Sequence, residues 1–299
     1  MPSPERKTRL DTLAIASLVL CCFLWGLNQV AAKVAIAEVP PLAQAALRSL
    51  GGAALVFLWA RWRGIALFAR DGSLGGGLVS GLLFAAEFGC IFVGLQYTTA
   101  SRMAVFIYIS PFVVALGMPF ISAAEKLKPL QMAGLLIAFA GVAWGFAEGF
   151  TQPAAGELQW LGDALGVAAG VLWGATTLAI RGSRLAAASA EKTLLYQLAI
   201  SGAALALAAA LSAQPWAPTL SALTWASLVF QVVVVTFASY LLWFWLVRHY
   251  PATRLASFTL LTPVFGLLLG ALLLGEPITP RLVIALAAVS GGIVLVNRN

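Results

Sequence analysis

Charged residues are scarce in this sequence, at 10% of 299 residues, whereas hydrophobic residues make up 61%. A soluble domain usually carries about 25% charged residues. No soluble fold of this size could hide so much apolar surface, so the composition predicts a protein whose solvent is the lipid bilayer. The formal net charge of +7 then indicates lysines and arginines in cytoplasmic loops, and no nucleic-acid partner is expected.

Residues that bind metals or carry redox chemistry are also few. Cys21, Cys22 and Cys90 lie inside apolar runs without metal-binding or redox spacing, and His249 is the only histidine. An odd number of cysteines argues against a disulfide framework, and no GxxxxGK[ST] loop is present to bind ATP. We expect no metal, no cofactor and no ATP motor. Because no nucleophile with a base or His/Cys cluster is evident, an intramembrane enzyme is not expected either.

One pattern occurs twice, about half the chain apart. Ala100-Ser101-Arg102-Met103-Ala104, Pro111, Glu125 and Pro129 are matched by Ala252-Thr253-Arg254-Leu255-Ala256, Pro263, Glu276 and Pro280. Trp25-Gly26 is matched in the same way by Trp173-Gly174. The constant offset indicates an internal duplication, and it places the two halves at residues 1–148 and 149–299, which together form one domain.

Apolar stretches long enough to cross a bilayer recur ten times. A spanning helix needs roughly 20 apolar residues. The first stretch follows three positive charges and resembles a signal peptide, but the match of Trp25-Gly26 to the second half assigns it to the fold. The fold class is therefore an all-α membrane protein with ten predicted spans: 13–35, 41–62, 73–96, 102–121, 129–148, 160–181, 192–212, 221–246, 253–274 and 281–297.

Positive charges predict the orientation of these spans. With the N-terminus inside, fourteen lysines and arginines face the cytoplasm and three, Lys33, Arg102 and Arg281, face outside. This bias places both termini in the cytoplasm. Each half has an odd number of helices, five, so the halves lie in opposite orientations. Two inverted-topology repeats of five helices are typical of secondary transporters, whose substrate site lies near the midplane between the halves.

Two charged residues lie well inside predicted spans. Glu87 is near the middle of the third span, and Arg48 is about two turns into the second. Each costs roughly 2.5–3.5 kcal/mol to insert, so each needs compensation. In one interpretation Glu87 is a proton site or contacts a substrate amine. In the other, Glu87 and Arg48 are paired as a structural tie, since their depths differ by only about 5 Å.

Further polar and aromatic residues are candidates for a cavity with apolar walls. Asn28 and Gln29 follow Trp25-Gly26, and Thr176 and Thr177 follow Trp173-Gly174. Glycine beside polar side chains in a span is where a helix can bend and meet a ligand, while close packing is the alternative. The candidate residues are Trp25, Asn28, Gln29, Glu87, Tyr108, Trp173, Thr176, Thr177, Gln231, Tyr240, Trp243, Ser257 and Thr259.

Pro111 and Pro263 fall inside the predicted fourth and ninth spans. Each removes a backbone hydrogen bond and favours a kink. Together with Gly26 and Gly174 they are candidate hinges, and a static bend is the alternative. The sixth span carries a glycine every fourth residue, from Gly162 to Gly174, which predicts a surface where another helix packs closely or slides.

In their order, spacing and duplication, these motifs resemble the EamA-type branch of the drug/metabolite transporter superfamily over the whole chain. Within it, the YddG-type amino-acid exporters of the bacterial inner membrane are the most similar. The first copy has Ala124-Glu125 where the second has the family's Gly275-Glu276, which predicts a stiffer turn. The other motifs are Trp25-Gly26, Arg48 after Pro40-Pro41, Ala100 through Pro111 to Glu125 with Gly134 and Gly141, Trp173-Gly174, Ala252 to Pro263, and Gly292.

The resemblance implies ten helices in a basket, with the first, third, fourth, sixth, eighth and ninth around a central cavity. It also implies export of aromatic and other neutral amino acids or related metabolites by alternating access. Partners would be the small-molecule substrate and membrane lipids, and a monomer would suffice because one chain supplies both halves. A drug or lipid flippase on the same fold is the alternative.

Overall fold

The computed structural model describes residues 11–121, 128–151, 153, 155–250, 255, 258–259 and 261–296. Regular structure in these residues is helical throughout. A 3₁₀ turn, Ile107–Ile109, joins α4 to α5, and a π-helical segment, Phe230–Ser239, joins α9 to α10. The helices are α1 Thr12–Ile36, α2 Pro41–Trp62, α3 Leu74–Gly94, α4 Ala100–Phe106, α5 Ser110–Ile121, α6 Pro129–Thr151, α7 Gln159–Arg181, α8 Ala190–Ser212, α9 Ala222–Val229, α10 Tyr240–His249, α11 Leu261–Leu274 and α12 Pro280–Val296.

Eight helical runs are long and apolar enough to cross a membrane, and they coincide with the first eight predicted spans. The α4 and α5 helices form one run, and α9, the π-helical segment and α10 form another. The shorter apolar helices α11 and α12, of 14 and 17 residues, occupy the predicted ninth and tenth spans. Most of the start of the ninth span lies outside the described residues. The all-helical membrane class is confirmed, and the count of ten crossings and the orientation stay predictions.

Helix pairing follows the duplication seen in the sequence. The last helix of the first half, α6, packs along its counterpart α12, and α2 packs along its counterpart α8. Contact of α1 with α11 is matched by contact of α7 with α4 and α5. Each pair therefore maps onto itself or onto another pair when the two predicted halves are exchanged, as expected for a duplicated chain.

Glycines bring α7 close to the run formed by α4 and α5. A Cβ atom added at Gly162 would lie 2.6 Å from the backbone nitrogen of Thr98, and one at Gly170 would lie 2.6 Å from the carbonyl oxygen of Ile107. Such distances are far inside van der Waals contact. The glycine-every-fourth-residue pattern is thus confirmed as a close packing surface, and it fixes the position of α4 relative to α7.

We expect Gly170→Ala to destabilise the fold by about 1–3 kcal/mol, because the new methyl group has no room. Gly291→Ala is the matched control, since nothing lies within 4 Å of its added Cβ and alanine is the better helix former. The measurement is the fraction of purified protein that stays monodisperse after heating. Equal thermal losses in the two variants would contradict the close packing of α7.

Candidate functional site

Arg48 of α2 is buried, with 1% of its surface exposed. Its Nη2 donates a hydrogen bond to the hydroxyl of Tyr240 at 2.6 Å, and its guanidinium carbon lies 3.9 Å from the ring centroid of Phe88. The Nε and Nη1 atoms have no hydrogen-bond partner in the described part of the chain. The guanidinium therefore keeps N–H donors free for an acceptor.

Glu87 of α3 is also buried, and its Oε2 accepts no hydrogen bond from the described residues. It lies within electrostatic range of Arg48. The ion pairs among the described side chains join Arg102 to Glu148 and Asp163, and Lys192 to Asp71, and none joins Arg48 to Glu87. The direct structural tie that the sequence allowed is therefore absent. Both groups carry hydrogen-bonding capacity that costs free energy while unsatisfied.

Three aromatic side chains predicted for the cavity form a chain of ring contacts that begins at Tyr240, the partner of Arg48. Trp25 packs edge-on against Tyr240 and Trp243, with ring centroids 6.4 and 5.5 Å apart. Its indole nitrogen donates to the hydroxyl of Ser239 at 2.9 Å. Ser239 ends the π-helical segment and Tyr240 begins α10, and π-helical turns are frequent at functional sites. The Arg48 cluster is Trp25, Arg48, Glu87, Phe88, Ser239, Tyr240 and Trp243.

A second aromatic pair lies in the same buried apolar core. The rings of Tyr108 and Trp173 meet edge to face at 5.7 Å. They belong to the hydrophobic cluster that includes Phe88 and packs against Tyr240. The structure thus places five predicted aromatic and acidic cavity residues in or against one core, namely Glu87, Tyr108, Trp173, Tyr240 and, through its contact with Tyr240, Trp25.

Three predicted amide side chains are buried with unsatisfied atoms. Asn28 and Gln29 of α1 and Gln231 of the π-helical segment are each at most 9% exposed. Neither Asn28 Oδ1 nor Gln29 Oε1 has a hydrogen-bond partner among the described residues, and the same holds for both side-chain polar atoms of Gln231. Buried polar groups are normally paired, so these atoms also fit a ligand site.

Three other predicted residues in the described part of the chain do not add free polar groups to this region. The hydroxyls of Thr176 and Thr177 donate to the carbonyls of Leu172 and Trp173 in their own helix, at 2.9 and 3.2 Å. Thr259 is partly buried and already has an interaction partner. Ser257 lies outside the described residues.

Matching turns precede the two candidate hinge prolines. The backbone N–H of Ser110 donates to the carbonyl of Ile107, and that of Thr262 donates to the carbonyl of Thr259. Both bonds span three residues, so the chain tightens just before Pro111 and Pro263, where proline supplies no N–H donor. Pro111 lies inside the run formed by α4 and α5, directly after its 3₁₀ turn, and Pro263 is the third residue of α11 as described. Their role as hinges stays a prediction.

The α1 and α7 helices continue through Gly26 and Gly174 without a break in the α-helix. A Cβ atom at Gly26 would lie 2.8 Å from the backbone nitrogen of Gly266, and one at Gly174 would lie 2.6 Å from the Cβ of Val113. The close-packing alternative describes both positions. Movement about them stays a prediction.

Buried charges are more numerous than the sequence predicted. Arg102, Glu148 and Asp163, all expected at the ends of spans, are at most 3% exposed. Arg102 donates from Nε and Nη2 to Asp163 at 2.7–3.1 Å and from Nη1 to Glu148 at 2.6 Å. Thr98 and Thr279 add hydroxyl donors to Asp163 and Glu148. These five residues are the Arg102 network, which joins α4, α6, α7 and the start of α12.

Glu276 fastens the second half of the chain to the same region. Gly275 has a φ of 67°, the left-handed conformation that ends many helices, and it closes α11. The carboxylate of Glu276, in the loop after α11, accepts hydrogen bonds from the backbone nitrogens of Ala100 and Ser101 at 2.7 and 2.9 Å, so it caps the amino end of α4. Lys33 donates to the carbonyls of Leu95 and Thr98. The twin turn at Ala124-Glu125 lies outside the described residues.

Within the described ranges, no group of histidine, cysteine and acidic residues is arranged to hold a metal ion. The buried groups instead suit a small polar molecule. The model of the EamA-like transporter family matches residues 12–146 and matches again at residues 160–298. The chain belongs to the EamA-like transporter family. It therefore belongs with transporters of the drug/metabolite superfamily, as its motifs predicted.

Relatives of this EamA-like transporter align along nearly the whole chain. "Uncharacterized transporter YvbV" of Bacillus subtilis is 30% identical over 97% of this chain and 92% of its own length. The "Probable amino-acid metabolite efflux pump" of Escherichia coli is 26% identical over 87% of both chains. A crystal structure with 22% identity and a TM-score of 0.66 covers 95% of each chain, and this likeness shows a shared fold alone.

Sequence reasoning missed part of the site of this EamA-like transporter. The sequence indicates Arg48 as a structural partner of Glu87, and it gives no indication of Phe88 or Ser239. The sequence does contain one signal, the free-energy cost of placing Arg48 inside a membrane span, because some interaction must offset that cost. Glu276 was noted as a repeated residue, but its capping role depends on contact between the halves and has no local sequence signal.

Proposed function

We propose that this EamA-like transporter exports small zwitterionic metabolites, chiefly aromatic and other neutral amino acids, by alternating access. The observation that carries the proposal is the coexistence of two incompletely satisfied buried ionisable groups, Arg48 and Glu87. A ligand with a carboxylate and an ammonium group would satisfy both. Charge-assisted hydrogen bonds of this kind are the strong ones in proteins.

The aromatic side chains support an amino acid with an apolar or aromatic side chain. Trp25 donates to the hydroxyl of Ser239 and packs against Tyr240 and Trp243, and Tyr240 accepts a hydrogen bond from Arg48. Aromatic rings supply apolar contact area and favour edge-to-face contacts with other rings. In such a complex Arg48 and Glu87 would bind the amino-acid backbone, and the rings of Trp25, Tyr240 and Trp243 would contact its side chain.

Membership of the family and the name of the Escherichia coli relative support export of metabolites. The proposal adds the substrate class, ten spans in two inverted halves at residues 1–148 and 149–299, and both termini in the cytoplasm. It also places the protein in a bacterial inner membrane, as a monomer resembling the YddG-type exporters. Matching turns before Pro111 and Pro263 would let the two halves move by equivalent rearrangements.

Counterflow in proteoliposomes tests this function. Vesicles preloaded with one unlabelled compound are assayed for uptake of labelled phenylalanine, with aromatic, aliphatic, acidic and basic amino acids, sugars, a cationic dye and a lipid probe as the panel. We expect neutral and aromatic amino acids to accelerate uptake. Movement of only the dye or the lipid probe would replace this proposal with the drug or lipid flippase function.

Glu87→Gln is expected to weaken competition by phenylalanine roughly 10–100-fold, because the ammonium group loses a charged acceptor worth about 1.5–3 kcal/mol. The matched probe is 3-phenylpropanoate, which lacks the ammonium group, and its competition is expected to change less than twofold. Equal losses for both probes would contradict the ammonium contact. Loss of the pH dependence of transport with normal discrimination would make Glu87 a proton site instead.

A further inference from the structure

The chain turns back sharply after α2 and leaves a groove beside the carboxyl end of that helix. Gly64 has a φ of 65°, and the backbone N–H of Ile65 donates to the carbonyl of Ala60 at 2.8 Å, which is the Schellman arrangement that closes many helices. The loop that follows is anchored by Leu67, which is 5% exposed. The α2 groove has a volume of about 270 Å³ and is lined by Arg61, Ile65, Ala66, Leu67, Phe68 and Ala69.

The α2 groove has a charged end and an apolar end. Arg61 is exposed, and the ion pairs among the described side chains do not include it. Phe57 lies four residues earlier, on the same face of α2 and about 6 Å along its axis. The ring centroid of Phe57 is 6.4 Å from that of Phe68, which is 79% exposed. An exposed guanidinium group therefore borders a pair of aromatic rings.

Further positive charge surrounds the α2 groove. Arg63 and Arg70 are exposed in the same loop. Arg184 reaches this loop from the chain after α7, since its Nη1 lies 2.8 Å from a Cβ atom added at Gly72. The one acidic residue of the loop, Asp71, is in an ion pair with a lysine of α8. The groove is therefore complementary to an anion.

Large apolar side chains are exposed around the same helix end. Leu58 is 61% exposed and Trp62 is 76% exposed, as expected where a span passes from hydrocarbon into the headgroup region. A free phosphate ion would use the guanidinium group and leave the two rings of the groove uncovered. A phospholipid supplies an anion and an acyl chain in the same order in which the groove presents its arginine and its rings.

We propose that the α2 groove binds one anionic phospholipid of the adjoining membrane leaflet. The lipid phosphate accepts hydrogen bonds from Arg61, and one acyl chain lies along Phe57 and Phe68. The predicted orientation places the groove in the cytoplasmic leaflet, where anionic lipids attract basic segments. The site depends on the membrane-spanning fold and not on the substrate, because Arg61 lies roughly 20 Å beyond Arg48 along the axis of α2.

Arginine suits this role better than lysine would. Its planar fork matches two oxygens of a phosphate group, and it is more weakly hydrated than an ammonium group. Arg63 also lies 5.4 Å from the ring centroid of Trp59, so its charge is held beside the interfacial aromatic residues. Arg63, Arg70 and Arg184 add attraction over a longer range, which salt screens more strongly than the direct contact.

The test titrates the full-length protein, in a mild detergent, with phosphatidylglycerol. Native mass spectrometry counts the lipids that each protein molecule retains. We expect one phosphatidylglycerol to bind roughly tenfold more tightly than phosphatidylcholine, whose choline group cancels the phosphate charge. Glycerol 3-phosphate carries the anion without acyl chains, and it is expected to displace the lipid only at a concentration roughly 100-fold higher than the lipid itself.

Two variants separate the charged contact from the apolar contact. Arg61→Gln is expected to weaken the binding of phosphatidylglycerol roughly 5–10-fold and that of phosphatidylcholine less than about twofold. Phe68→Ser is expected to weaken both lipids alike, by roughly 3–10-fold, because part of the acyl contact is lost.

The matched controls are Arg181→Gln and Phe120→Ser. Arg181 is exposed in the last turn of α7 and Phe120 is 92% exposed near the end of α5. Both lie at the same predicted membrane face but do not line the α2 groove, and each is expected to change lipid binding by less than about twofold.

Equal binding of the two lipids by the wild-type protein would overturn the proposal. Equal losses in Arg61→Gln and Arg181→Gln would also overturn it, because the whole positive face would then attract lipid without a specific groove. Displacement by glycerol 3-phosphate at the concentration of the lipid itself would make the groove a site for free anions instead. No transported compound enters this assay, so its outcome is independent of whether counterflow supports amino-acid export.

Discussion

Arg102→Leu is expected to destabilise the folded protein by about 3–5 kcal/mol, the cost of breaking a buried ion pair by removing one partner. Arg102 supplies donors to Glu148, Asp163 and the carbonyl of Gly145. Without it, two carboxylates and a carbonyl remain in a water-poor region. The measurement is the yield of monodisperse protein and the temperature at which half of it is lost.

Arg281→Leu is the matched control for Arg102→Leu. The Arg281 guanidinium hydrogen-bonds Thr151 and lies 5.2 Å from the Trp144 ring centroid, near the surface, so its loss should cost less than about 1 kcal/mol. Arg102→Lys should fall between the two, because an ammonium group keeps the charge but not the bidentate geometry. Similar stability in all three variants would show that the network contributes little to folding.

The sequence predicted the helices well because apolar length and polar breaks are local properties. The first eight predicted spans coincide with helical runs, and the Gly162 to Gly174 pattern identified a face that packs against α4 and α5. The repeated prolines likewise marked the two places where the backbone tightens. Each of these features is determined by residues within one or two turns of one another.

Contacts between distant helices explain what the sequence did not predict. Arg102 looked like a loop residue that sets topology, yet it joins residues 46 and 61 positions away. Arg48 and Glu87 have similar depths, which suggested a pair, but depth does not fix the direction in which two side chains project. Arg48 instead projects to Tyr240, 192 positions away, and no local pattern encodes that contact.

At both ends of the bundle, charged side chains make structural contacts in addition to the role in orientation that their number predicts. Lys192, the first residue of the predicted seventh span, is 3% exposed and binds the carbonyl of Ala69 and the carboxylate of Asp71 at 2.8 Å. Hydrogen bonds from Lys192 and Ser73 hold the pKa of Asp71 well below its ordinary value. Positive charges that set orientation during insertion thus also fasten helices to loops in the folded protein.

Arg48→Met is expected to weaken competition by phenylalanine roughly 10–100-fold, because a substrate carboxylate loses charged donors worth about 1.5–3 kcal/mol. The matched probe is phenethylamine, which lacks the carboxylate, and its competition is expected to change much less. Methionine fills a similar volume between Phe88 and Tyr240, so packing is largely retained. Counterflow competition with both probes, in protein whose thermal stability is measured in parallel, provides the comparison.

Glu87→Gln and Arg48→Met are expected to affect different probes, phenethylamine and 3-phenylpropanoate respectively. Glu87→Gln should affect only ligands that carry an ammonium group, and Arg48→Met only those that carry a carboxylate. Arg281→Met is the control, since the Arg281 guanidinium lies near the surface at the start of α12, and it should leave both probes unchanged. If Arg48→Met weakened phenylalanine and phenethylamine equally, Arg48 would act only through the packing of the Arg48 cluster, and the zwitterion clamp would be wrong. A selective loss of phenylalanine binding would assign the substrate carboxylate to Arg48.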